Sequence, residues 1–84
     1  MKHFMDEQER LACVRWIRQF LSATTKKQAD SYVLKHMFQR MTGIYSSDEE
    51  FQEVMRECGY EPIEPTKSVF EVKVDSIVIQ NYYR

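Results

Sequence analysis

Gly43-Ile44-Tyr45-Ser46-Ser47-Asp48-Glu49-Glu50-Phe51-Gln52-Glu53-Val54-Met55-Arg56-Glu57-Cys58-Gly59-Tyr60 holds both ends of a helix and a two-faced middle. Ser47 with Glu50 three residues later is a capping-box pattern, in which hydroxyl and carboxylate each satisfy a backbone N–H that the first helical turn leaves open. Phe51, Val54, Met55 and Cys58 recur at helical spacing as a narrow apolar stripe, so a helix is predicted from about 48 to 58. Gly59 is placed to close it in the left-handed region, with Tyr60 folding back on the last turn. Pro62 and Pro65 forbid continuation. The opposite face is acidic: Asp48, Glu49, Glu50, Glu53 and Glu57 stand against the single base Arg56.

Upstream, the pattern from Asp6 to about Ala23 is helical. Leu11, Val14, Ile17 and Leu21 form one stripe, with Cys13, Trp16 and Phe20 beside it. So wide an apolar arc predicts a helix packed between other elements. Asp6, Glu7 and Glu9 suit the positive end of its dipole. Thr24-Thr25-Lys26-Lys27-Gln28 is polar and reads as a linker or as the start of the next helix. On a wheel, residues 31–42 put Val33, Leu34, Met37, Phe38 and Met41 on one face and Tyr32, Lys35, His36 and Gln39 on the other, with Arg40 at the edge. Asp30 is read as its N-cap, with Ser31 the competing choice, and Gly43 as its end.

Downstream the period changes to two. Phe70, Val72 and Val74 alternate with Val69, Glu71 and Lys73, which predicts a strand with one buried face. Ile77 to Tyr82 is read as a second strand, with Asp75-Ser76 at the turn of a hairpin. The expected fold is therefore α+β, a single domain over 1–84 with three helices followed by a C-terminal strand or β-hairpin, and it resembles a winged helix. The run Ser31-Tyr32-Val33-Leu34-Lys35-His36, then Gly43-Ile44-Tyr45-Ser46, Glu50-Phe51, Val54-Met55, Gly59-Tyr60 and Phe70-Glu71-Val72, resembles small proteins of phages and conjugative elements of Gram-positive bacteria. The resemblance covers roughly residues 30–74 and implies a mobile-element origin and a shared fold. It assigns no functional residues, because members of that group are mostly uncharacterised.

Composition bounds the function. The 84 residues, 43% apolar and 30% charged, suit one small globular domain near the size where a single core only just offsets chain entropy. No signal-peptide core or long apolar run is present, so a cytosolic location without membrane contact is expected. Cys13 and Cys58 match no metal-ligand spacing and are read as reduced core residues. The histidines, His3 and His36, lack partners at matching spacing, and no phosphate loop or nucleophile motif occurs. Neither catalysis nor a cofactor is expected. Helical spacing splays Asp48, Glu49, Glu50 and Glu53 around the axis, so they are read as a solvated face and cap rather than a metal site.

Charge leaves two binding readings. Residues 1–44 carry a net +4 and residues 45–84 a net −5, so the chain is electrically two-ended. The first reading is a protein partner from the host or the element, met by Glu49, Glu53, Arg56 and Glu57. An acidic helix can occupy a basic groove that otherwise holds nucleic acid, as anti-defence proteins such as inhibitors of CRISPR nucleases do. Tyr45, Tyr60, Tyr82 and Tyr83 are candidate interface anchors, or else edge residues of the core. The second reading is nucleic-acid binding through Arg15, Arg18, Lys26, Lys27, Lys35 and Arg40; the acidic third helix has the wrong sign to read DNA. A homodimer through the apolar strand 77–83 is also expected.

Overall fold

A computed structural model of the chain describes residues 4–64 and 68–83; His3 and Pro65 lie outside them. Asp6 starts α1 (Glu7–Phe20) through a capping box, its carboxylate accepting from Glu9 N at 2.8 Å while Glu9 Oε1 accepts from Asp6 N at 3.0 Å. The helix stops at Phe20, three residues short of the expected Ala23. Its last carbonyl accepts from Asp75 N at 2.8 Å, and Leu21–Ala23 becomes strand β1. Long-range pairing thus overrides a helical pattern that continued locally. The buried arc is also narrower than expected: Cys13, Trp16 and Ile17 are buried, whereas Leu11 is exposed.

After β1 the loop 24–28 leads to β2 (Ala29–Asp30) and α2 (Ser31–Thr42). Asp30 is the N-cap, accepting from Tyr32 N at 2.8 Å. Gly43 closes α2 at φ 76°, donating its N–H to Gln39 O at 2.7 Å. Helix α3 (Asp48–Glu57) follows with the foreseen box, Glu50 N to Ser47 Oγ at 3.2 Å and Ser47 N to Glu50 Oε1 at 3.3 Å. At its end Gly59, at φ 93°, donates to Arg56 O and Tyr60 donates to Met55 O, each at 2.9 Å. That bond pair is a Schellman closure.

The stretch 69–74 forms β3 (Val69–Phe70) and β4 (Val72–Val74). Phe70 and Val72 are buried while Glu71 and Lys73 are exposed, as the two-residue period requires. Their partners are β2 and β1, antiparallel, with Ala29 opposite Phe70 and Ala23 opposite Val72. Residues 24–28 therefore bulge out opposite Glu71 alone and split the ribbon into two two-stranded sheets, β1–β4 and β2–β3. Pro62 also bridges Phe70, and Ile63 N donates to Val69 O at 2.8 Å.

The C-terminal segment corrects the expectation of a hairpin. Ser76–Tyr82 is a helix, α4, and not a second strand. Asp75 is its N-cap, accepting from Ile77 N at 3.0 Å, so the residues read as a hairpin turn are a helix start. A two-residue hairpin turn needs left-handed residues; Asp75 at φ −58° and ψ 138° has the extended geometry that a cap takes. Val78 is buried, Tyr82 is half-buried against the core, and α4 packs on α2. The apolar strand edge on which the homodimer rested is accordingly not formed at 77–82.

One core joins these elements. Trp16 of α1 meets Phe38 of α2 and Phe51 of α3 edge-on, at ring-centroid distances of 5.5 and 6.2 Å. Its indole N–H points to the Met41 sulfur at 3.3 Å. Phe70, Val72 and Val78 extend the core to the ribbon and α4. No described helix is long and apolar enough to cross a membrane.

Candidate functional site

The capping box and the Schellman closure hold α3 at both ends, and its apolar stripe, Phe51, Val54 and Met55, is fully buried. What faces outward is therefore fixed. It is smaller than the sequence suggested, because two of the five acids belong to the structure. Glu50 is nearly buried, and its Oε2 accepts from Met5 N at 2.8 Å, tying the N-terminal segment to the start of α3. Asp48 accepts from Ser31 Oγ at 2.7 Å and from Gln52 Nε2 at 3.0 Å, which joins α3 to the first turn of α2.

Glu49, Glu53, Arg56 and Glu57 remain exposed on one helix. Arg10 of α1 adds a positive charge to this face: its Nη2 donates to Glu57 Oε1 at 2.7 Å and to Glu53 Oε1 at 3.2 Å. The hydrogen bond it donates to Glu57, reinforced by the charges of both glutamates against some burial, holds the guanidinium pKa above its ordinary range. All three side chains keep substantial solvent contact, so each pair contributes only about 0.2–1 kcal/mol. The effect is chiefly geometric, since two carboxylates one turn apart are pinned by one cation. Arg10 counts in the sequence among the bases of the first half, but its pairing with α3 is not legible there because nothing local shows which side of α1 meets α3.

The six cations of the second reading are dispersed. Arg15 and Arg18 are exposed on α1, and the charge of Arg18 acts on the Cys58 thiol at the end of α3. Lys26 and Lys27 are exposed in the bulge. Arg40 donates from Nε to Asn81 O at 3.2 Å, tying α2 to α4. Lys35, expected on the open face of α2, is only 7% exposed. The α2–α3 loop brings Tyr45 back over that face, leaving Lys35 Nζ 5.0 Å from the Tyr32 ring centre and 5.4 Å from that of Tyr45.

Of the tyrosines, Tyr32, Tyr45 and Tyr83 are exposed. Tyr60 packs on the core and donates to Leu21 O at 3.3 Å. Burial pushes the Cys13 thiol up to about 12 and raises Cys58 as well, against Arg18, which lowers it. Both cysteines are free thiols. Among the described residues, no three His, Cys, Asp or Glu side chains gather to hold a metal ion. Compared with protein-family models, curated proteins and solved structures, the chain matches none.

Proposed function

We propose that the protein is a small non-enzymatic interaction module that binds a host or mobile-element protein through the outward face of α3, with Glu49, Glu53, Arg56 and Glu57 as contacts. The observation that carries this reading is the contrast between the two charge sets. The α3 residues share one rigid helix face, pre-ordered by Arg10, whereas the six cations are spread over α1, the bulge, a tyrosine-covered pocket and the α2–α4 seam. A pre-ordered face loses less side-chain freedom on binding. The partner it suits carries a basic patch, and blocking such a patch is how an anti-defence protein in the cytosol would act.

A winged-helix-like frame is part of this proposal. It is supported by the order helix, two short strands, two helices, then Pro62 bridged to Phe70 and the strands β3 and β4 paired back with β2 and β1. Helix α4 is an addition to that frame.

The test is affinity capture from a host lysate with the wild-type protein and with Glu49→Lys/Glu53→Lys. Loss of the captured partner by a variant of unchanged circular dichroism is expected. Equal capture by both refutes the α3 face. Nucleic-acid binding is kept as a second reading because Lys26 and Lys27 stand exposed in the bulge. It predicts DNA affinity that falls steeply between about 50 and 200 mM salt and collapses in Lys26→Glu/Lys27→Glu, read by fluorescence anisotropy.

A further inference from the structure

The bulge in the ribbon has a second consequence, independent of the α3 reading. Where residues 24–28 leave the ribbon, β2 and β4 diverge, and α2 and α4 close the gap from one side, leaving a cleft of about 640 Å³. That volume falls in the range of small-molecule sites, about 300–1,000 Å³. Its apolar lining is Ala29, Val33, Met37, Val72, Val74 and Ile79, all aliphatic or thioether side chains. No aromatic ring lines it, so it suits a flexible aliphatic body better than a flat ring.

The rim sets the sign of the ligand. Two acids and two bases line it: Asp30, Asp75, Lys27 and Lys73. Both acids are engaged as helix caps. Asp30 accepts from Tyr32 N at 2.8 Å and Ser68 Oγ at 3.0 Å, and Asp75 accepts from Ile77 N at 3.0 Å. These bonds use only the Oδ1 atom of each, and the helix N-termini offset part of the charge. Lys27 and Lys73 are exposed, and neither has an acidic partner among the described residues. The rim therefore offers two uncommitted ammonium groups above an aliphatic floor.

We infer that this cleft is a binding site for an amphipathic anion, a carboxylate carrying a saturated aliphatic chain, with the chain on Val33, Met37, Val72, Val74 and Ile79 and the head group between Lys27 and Lys73. The chain removes apolar lining from water, and the carboxylate meets the lysines as point charges.

The experiment is an amide and methyl NMR titration of the intact protein with sodium octanoate, alongside octanamide, which has the same chain with a neutral head, and acetate, which lacks the chain. Octanoate is expected to shift Val33, Met37, Val72, Val74 and Ile79 saturably, with Kd of about 1 mM or below. Octanamide and acetate should bind at least about tenfold more weakly, and Lys27→Glu/Lys73→Glu should weaken octanoate by a similar factor. Ile79→Trp, a substitution at an exposed position of the apolar lining, should fill the cleft and abolish the shifts while the rest of the spectrum stays folded. Absence of saturable octanoate binding, equal binding of octanamide, or unchanged affinity in either variant overturns the assignment. A short peptide of alternating Glu and Leu that shifts these residues where octanoate does not also overturns it, in favour of a protein segment.

Discussion

Glu50→Ala separates the acids that build the fold from those that face a partner. Glu50 lies on the acidic side of α3 by sequence, yet it is nearly buried and serves two chains of bonding. Its Oε1 closes the capping box with Ser47 N at 3.3 Å, and its Oε2 holds Met5 N at 2.8 Å. Truncation strands the Met5 N–H in a buried setting, costing about 1–3 kcal/mol. It also opens the box and removes a negative charge from the helix start, costing about 0.5–1.5 kcal/mol more. The expected loss is about 2–4 kcal/mol, a large part of the roughly 4–12 kcal/mol available to a chain of this size. The midpoint should fall by about 10–25 °C in a thermal melt followed at the helix band. Glu61→Ala, an exposed acid outside the helices, is the control and should stay within about 0.5 kcal/mol of wild type. A Glu50→Ala variant as stable as Glu61→Ala would refute the structural role of Glu50 and return it to the binding face.

Two further outcomes test the same reasoning elsewhere. Gly59→Ala should cost about 1–2 kcal/mol through left-handed backbone strain alone, because φ is 93° and a Cβ there meets nothing within 4 Å; a chemical-denaturation midpoint unchanged from wild type would contradict the closure described for α3. Cys13 stays protonated in the fold to about 12 against an ordinary 9.0, so the unfolded chain releases its proton first and stability should fall as pH rises through that window. The slope approaches about 1.4 kcal/mol per pH unit from this group. In Cys13→Ala the decline should be shallower, and an identical pH slope in the variant would exclude the thiol as its source.

Local chemistry was legible wherever one stretch of chain contains its own partners. The Ser47–Glu50 box, the Asp30 cap, the stops at Gly43 and Gly59 and the alternation of Phe70, Val72 and Val74 are interactions over a few residues, and sequence alone determined them. The C-terminal helix was misread because Ile77, Val78 and Ile79 favour strands on propensity, while packing on α2 and the Asp75 cap decided otherwise. Tertiary structure alone decided which charges remain available. Arg10 reaches Glu53 and Glu57 from 43 and 47 residues away, Glu50 reaches Met5 across 45, and Tyr45 folds over Lys35. The cleft likewise exists only because the strand register places residues 24–28 opposite Glu71. A helical wheel states which side chains share a face; only the packed chain states which face meets a neighbour, because that depends on contacts between residues far apart in sequence.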